Sequence, residues 1–299
     1  VVEHDSAGGS GLIGAVLVDK PVGPTSHDVV HRVRRALQTR AAGHTGTLDP
    51  FASGLLVVLV GRATRLARFV ESQPKRYLAT ARLGIQTTTD DLTGEVMVRF
   101  PNPESVPEVR LREELATFLG QHPQRPPAFS AKRVAGERSY RRARRGELVE
   151  LAEVPVTVHD IELVDYRPPD LCFRTVVSPG TYVRALARDL GNQLGVGAHL
   201  TALRREAIGS LVVEEAVPLE QLGPAALLSP QSVLRDLPSV DLDEAERKAV
   251  VHGRAVKDSG EVGRRESGEV VALLQSGELL GVARAEDGWL RPTVVLETP

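Results

Sequence analysis

The residues Gly43-His44-Thr45-Gly46-Thr47-Leu48-Asp49-Pro50-Phe51-Ala52-Ser53-Gly54 crowd a histidine, hydroxyls and one carboxylate among glycines, then release into the apolar run 55–60. Glycine lets a backbone bend tightly and approach a ligand. A residue before proline is pushed towards extended geometry, so Asp49 projects its carboxylate from a loop. Two readings stand side by side: a solvated Asp-Pro turn, or an ionised nucleophile or base held at the mouth of a sheet.

The elements that must position this loop can be read from residue periodicity. Residues 14–19 form a first strand, and Ser26 is the expected N-cap of a helix through Val29, Val30, Val33 and Leu37. His27 and His31 stand four apart on that helix, as zinc ligands do, but no third ligand follows and they read as surface histidines. A helix is expected to contain residues 64–72, and residues 75–83 alternate like a strand. On that strand Tyr77 lies beside Lys75 and Arg76; it is either a packing aromatic or a platform for a base.

Further on, residues 87–94 form a turn rich in hydroxyls and carboxylates, Asp91 among them, and lead to a strand at 95–99. Proline-rich residues 101–107 introduce a helix ending near Gly120. Strands follow at 154–164 and 171–177. The turn Ser178-Pro179-Gly180-Thr181-Tyr182-Val183-Arg184 opens a helix, capped by Thr181, that turns Leu186 and Leu190 inwards and ends by Gly191. His199-Leu200-Thr201-Ala202-Leu203-Arg204-Arg205 closes this part. Beyond Pro218, a helix at 244–251 and alternating runs at 270–274, 279–283 and 290–296 describe a small, separable β-rich module with its boundary near Pro238.

Charge separates the chain in the same way. The net charge of −2 divides into +5 up to Ser210 (28 Lys+Arg against 23 Asp+Glu) and −7 beyond it (9 against 16). Residues 31–82 hold 10 basic and 2 acidic side chains, and residues 124–146 hold 8 and 1. A solvated helix face could account for either window alone, but two of them flanking one polar loop favour a polyanion such as nucleic acid. The segment containing Lys132, Arg141, Arg142, Arg144 and Arg145 has few apolar residues and is expected to stand out from the core as a basic arm at about 124–152. One cysteine, Cys172, excludes an internal disulfide and a multi-cysteine metal site, as suits a reducing cytoplasm. No apolar run approaches the roughly 20 residues of a membrane helix. Residues 1–10 lack a signal-peptide core and read as a tail.

Several of these stretches, in the same order, resemble the bacterial tRNA pseudouridine synthases of the TruB type. The resemblance rests on Val18-Asp19-Lys20-Pro21, the Gly43 to Pro50 loop, Lys75-Arg76-Tyr77, Arg82-Leu83-Gly84, the Ser178 to Arg184 turn and Leu203-Arg204-Arg205. It implies an α/β (α+β) fold with a central mixed, largely antiparallel sheet, an RNA-gripping thumb and a PUA-like C-terminal domain. The catalytic domain would span 11–238, with the arm as its thumb, and the small domain 239–299. The implied activity is isomerisation of the T-loop uridine (position 55 in tRNA numbering). Asp49 then matches the catalytic aspartate, Tyr77 the catalytic tyrosine that stacks on the target base and can take part in the proton transfer at C5, and Arg184 the arginine paired with the carboxylate. His44 matches the histidine that helps displace the nucleotide, Leu203 an apolar wall of the pocket, and Asp91 a further acidic residue of the site. Tyr182 and the arm residues are expected at the RNA surface. Lys20 and Pro21 match a structural motif. Thr88 departs from the pattern, since the family usually has an acidic residue there.

The chemistry asks for the same residue types. Uridine becomes pseudouridine when the N1–C1′ bond breaks, the base rotates and C5 joins C1′. No net redox change or activated donor is needed, so no cofactor and no metal are expected, and a phosphate loop or dinucleotide fingerprint is not required. The carboxylate can act covalently on sugar or base, or as a base, and a neighbouring Arg184 is expected to lower its pKa. A stacked uridine must be flipped out, which suits an intercalating His44 and a stacking Tyr77. Two rivals differ at specific residues. Phosphoaspartate enzymes place the nucleophile before Thr-Gly-Thr, whereas here Asp49 follows it and no Gly-Asp-Gly motif appears. A non-catalytic RNA-binding protein shares the basic windows but would not release the C5 hydrogen of uridine. The resemblance further implies a stand-alone monomer acting on the tRNA T-arm, without guide RNA, protein partner or membrane.

Overall fold

The computed structural model describes residues 11–129, 133–134, 137–138, 145, 151–258 and 265–297. The N-terminal part runs β1 (Gly14–Lys20), α1 (Ser26–Ala36), β2 (Ala42–His44) and β3 (Ser53–Val60), then a 3-10 turn at Gly61–Leu66, α2 (Ala67–Glu71) and β4 (Lys75–Leu83). A hairpin of β5 (Ile85–Thr87) and β6 (Val96–Arg99) precedes α3 (Glu108–Ala116) and β7 (Gly120–Gln124). The short pair β8 (Arg133–Val134) and β9 (Glu137–Arg138) belongs to the arm. Then come β10 (Val154–Arg167), β11 (Asp170–Val177), α4 (Val183–Leu194), β12 (Ala198–Ile208), β13 (Leu211–Val212) and β14 (Val217–Pro218). The last part holds β15 (Ser239–Asp241), α5 (Glu244–Val251), β16 (Val256–Lys257), β17 (Val270–Gln275), β18 (Glu278–Glu286) and β19 (Trp289–Val295).

The large sheet has the order β14-β1-β3-β12-β4-β11-β10-β7, with β2 on β3 and β13 on β12. Only β1–β14 and β3–β12 pair in parallel among its named strand pairs, so the sheet is mixed and largely antiparallel, as expected. Strand β3 explains the unbroken apolar run: it is covered on both faces. Leu56, Val58 and Val60 join a cluster with Val29 and Val33 of α1, Leu111 of α3 and Leu186 of α4. Leu55, Val57 and Leu59 point the other way, against Leu66, Val70, Val282 and Val294.

That second cluster shows how the C-terminal module meets the main sheet. Strands β15-β17-β18-β19-β16 do form their own five-stranded sheet, but its Val282, Val294 and Leu296 complete the apolar layer beneath β3. Arg62 and Arg65 add Nη1 hydrogen bonds to the carbonyls of Leu296 (3.1 Å) and Val295 (3.0 Å). The module is docked on the main sheet.

Smaller differences have local causes. Thr25, not Ser26, caps α1: its hydroxyl accepts the Asp28 N–H while Asp28 accepts from the Thr25 N–H, a reciprocal capping box. The helix expected at 64–72 is split, because the Gly61 start winds as 3-10 before α2. Tyr182, not Thr181, is the N-cap of α4, and that helix passes Gly191 to end where Gly195 takes a left-handed φ of 75°. The helix expected to reach Gly120 stops at Ala116, leaving Gly120–Gln124 as the edge strand β7. Among the described residues no helix is long and apolar enough to cross a membrane.

Candidate active site

Asp49 sits in the loop between β2 and β3, and three clamps hold that loop. The buried Ser26 hydroxyl donates to the Leu48 carbonyl (2.9 Å) and accepts the Leu48 N–H (2.8 Å). The Pro50 carbonyl accepts the Gly23 N–H at 2.8 Å. From below, the buried Arg205 of β12 donates Nε to the Leu55 carbonyl (2.7 Å) and Nη2 to the Gly46 carbonyl (3.1 Å). Close approach of β3 to β12 requires Gly54: its φ is +102°, and a Cβ there would come within 2.3 Å of the Arg205 carbonyl oxygen. Leu48, Phe51 and Ala52 anchor the loop in the apolar cluster on the α1/α4 face.

Arg184 meets Asp49 from the first turn of α4. Its Nε lies 3.1 Å from Asp49 Oδ2, and its Nη1 lies 3.2 Å from Asp91 Oδ2. The guanidinium also donates to the carbonyls of Thr89 (2.9 Å) and Phe129 (3.0 Å). Asp91 is fully occupied: Oδ1 accepts from the Thr89 hydroxyl, the Thr93 N–H and the Thr93 hydroxyl. The Asp49 side chain retains 37% exposure and the Asp91 side chain 4%. Asp91 therefore fixes the arginine, and Asp49 keeps an open carboxylate edge.

Burial raises the Asp49 pKa above the ordinary aspartate value, opposed by Arg184 and Lys20 and assisted by Asp91. Arg184 acts in the expected direction, but removal from water outweighs it. Lys20 is itself buried and held by the Pro21 and Pro24 carbonyls (2.9 and 3.0 Å); burial lowers it to about 8, with Asp49 pulling up and Arg205 down. His44 closes the same loop. Its Nδ1 is buried with no hydrogen-bond partner, and burial, Arg205 and His27 hold the ring below its usual pKa.

The adjacent strands β4 and β12 add side chains to the apolar cluster that anchors the loop. Leu203 pairs with Ala79 and Arg205 with Tyr77, so these four side chains project from one face of the sheet. Leu203 is buried there, and the half-buried Tyr77 packs against the same cluster as Leu48 and Phe51. Tyr182 leads into Arg184, its N–H and carbonyl both bound by the buried Gln124 amide (2.8 and 3.1 Å). Thr88, the departing position, is exposed and accepts the Glu95 N–H within its own hairpin (3.1 Å). Arg145 lies exposed in a turn; Lys132, Arg141, Arg142 and Arg144 fall outside the described residues. Among the described residues no three His, Cys, Asp or Glu are grouped to hold a metal ion. His27 and His31 instead face each other at 3.0 Å, Nε2 to Nε2.

Sequence reasoning missed the supports of this site. Ser26 was expected as a helix cap and is a loop clamp. Arg205 and Gln124 carry no sequence signal of burial, since an arginine or glutamine normally reads as surface.

The chain matches the descriptions "TruB family pseudouridylate synthase (N terminal domain)" over residues 34–183, "tRNA pseudouridylate synthase B C-terminal domain" over 184–239 and "Pseudouridine synthase II TruB, C-terminal" over 238–296. It is 45% identical over 292 residues to a protein of Thermobifida fusca named tRNA pseudouridine synthase B, covering 94% of this chain and 98% of the relative. A Burkholderia mallei protein of the same name is 42% identical over 297 residues, covering 96% and 98%. Among solved structures, an H/ACA RNP bound to a substrate RNA containing 2′-deoxyuridine superposes with a TM-score of 0.73 at 25% identity, over 95% of this chain and 85% of that one. A Cbf5-Nop10-Gar1 complex gives 0.73 at 27% identity, with the same coverage. With family descriptions covering residues 34–296 and near-full-length relatives above 40% identity, the chain belongs to the TruB family of pseudouridylate synthases.

Proposed function

We propose that this protein isomerises a uridine of tRNA to pseudouridine, at T-loop position 55, with Asp49 as the catalytic carboxylate. The observation that carries the reading is the Asp49–Arg184–Asp91 arrangement, in which one buried arginine is locked by one carboxylate and turned towards a second, open one. Cleavage of N1–C1′ leaves an electron-poor C1′, and an oxygen of Asp49 can stabilise it covalently on the sugar, attack the base, or remove a sugar proton. After the base rotates, C5 bonds to C1′, the C5 proton leaves and N1 gains a proton, so atoms balance without a cofactor.

The other residues serve the flipped base. His44 enters the vacated stack as a neutral ring, consistent with its lowered pKa. Tyr77 stacks on the uracil, Leu203 walls the pocket, Asp91 anchors Arg184, and Tyr182 lies at the RNA-facing start of α4. The basic arm, with Lys132, Arg141, Arg142, Arg144 and Arg145, grips the phosphate backbone of the T-arm. Residues 11–238 form the catalytic domain and residues 239–299 the PUA-like domain. The enzyme acts alone in the cytoplasm, as a monomer without guide RNA, although the H/ACA structures to which it is similar contain RNA and other proteins. A T-arm transcript tritiated at uridine C5 tests this: tritium release by the protein alone is expected, whereas binding without release would leave only an RNA-binding protein.

A further inference from the structure

The arm's root and the turn that anchors Arg184 are fastened to one helix face. Arg184 and Arg188 stand four apart on α4, one turn from each other. Each guanidinium bridges the same two segments. Arg184 spans Asp91 and the Phe129 carbonyl. Arg188 spans Asp90 Oδ2 (3.0 Å) and the Arg125 carbonyl (2.8 Å), with Nε on Asp189 (2.8 Å). Gln124, beside Arg125, holds the Tyr182 backbone. Thus residues 124–129, from which the arm departs, are tied to α4 at three points.

Asp90 adopts a φ of 59°, in the left-handed region that few side chains enter and that aspartate tolerates better than most. Arg188 holds its carboxylate, and the Leu200 N–H holds its carbonyl at 3.0 Å. Both side chains are largely buried, at 20% exposure for Arg188 and 15% for Asp90. The next residue is Asp91. Asp90 is thus fixed at its side chain and its carbonyl directly beside the carboxylate that locks Arg184.

On the proposed reaction, we infer that Arg188 is a positioning residue that couples the root of the RNA-gripping arm to the catalytic carboxylate through the Asp90–Asp91 turn. Among the described residues it makes no hydrogen bond or ion pair with Asp49. Its role belongs to the chemical step and not to tRNA affinity, because its guanidinium is directed to Asp90, Asp189 and the Arg125 carbonyl.

The test is single-turnover pseudouridine formation with saturating enzyme, alongside tRNA binding and active-site titration. For Arg188→Ala the rate per bound complex falls about 10- to 100-fold while Kd stays within about three-fold, the scale of a small misplacement of reacting groups. Asp90→Asn gives a loss of similar size, and the double variant loses little more, since both remove one bond. Arg188→Lys keeps the charge but cannot span three acceptors, so its rate lies between wild type and Arg188→Ala; this variant also decides the matter should Arg188→Ala not fold. A rate per bound complex at the wild-type level, or a loss that follows Kd, or full additivity with Asp90→Asn, overturns the inference. An inactive wild-type protein would instead remove the proposed reaction itself.

Discussion

Two acidic regions share one arginine. The 87–94 turn closes around Asp91, giving it two threonine hydroxyls, a backbone N–H and the Arg184 guanidinium. The 43–54 loop does the reverse: it clamps its own backbone through Ser26, Pro50 and Arg205, while Asp49 keeps an open edge and meets Arg184 through a single oxygen. A saturated carboxylate is an anchor, because its lone pairs are committed. A carboxylate placed by the backbone around it, with only one oxygen on an arginine, is oriented and still available to a substrate. That division separates a structural acid from a reactive one.

The largest break is Arg184→Ala. It strands the buried Asp91 without its cation, so a stability loss of about 3–5 kcal/mol is expected in denaturant melts. In protein that remains folded, C5 tritium release should fall about 100-fold or more, as Asp49 loses its orientation. Asp91→Asn is milder. The amide keeps the shape of the turn, so turnover should drop about 10- to 100-fold through a looser Arg184, with tRNA binding retained. An Asp91→Asn enzyme as inactive as one lacking Asp49 would erase the distinction between anchor and reactive group.

The pH profile sharpens the same contrast. The proposed reaction uses the Asp49 anion, and burial raises its pKa above the ordinary aspartate value. The single-turnover rate is therefore expected to fall with acid at a higher pH than a solvated aspartate would impose. Arg184 opposes that rise, so Arg184→Lys, whose ammonium cannot reach Asp49 and Asp91 together, moves the acid limb to still higher pH. A shift towards lower pH would contradict this electrostatic account. The smallest effect concerns the clamp. Ser26→Ala leaves the buried Leu48 N–H without its acceptor, which should cost about 1–3 kcal/mol of stability and slow turnover only a few-fold, as read by thermal melts and initial rates.

Much of this was legible in the residue pattern. Strands β1, β4, β10 and β11 announce themselves by apolar runs or alternation, and the Asp49 loop by its glycines and Asp-Pro step. Long-range partnerships were hidden. That Ser26 grips Leu48, 22 residues away, or that Gln124 holds Tyr182, 58 residues away, follows from the sheet order and not from spacing. Strand β12 escaped notice because Arg204, Arg205 and Glu206 look like a solvated run. In the sheet Arg204 pairs with Asp19, Arg205 is buried beneath the loop, and Glu206 bridges Arg174. The docking of the acidic C-terminal sheet was missed for the same reason. Its charge suggested an independent unit, whereas three of its side chains, Val282, Val294 and Leu296, complete the main core.

The central claim is that Asp49 carries the reaction while Asp91 only holds its partner. Asp49→Asn tests it most directly, because the amide preserves size and leaves the backbone clamps in place. With folding checked by circular dichroism and tRNA binding within a few-fold of wild type, tritium release from C5 should remain at background. Release near the wild-type rate from the bound, folded variant would contradict the account.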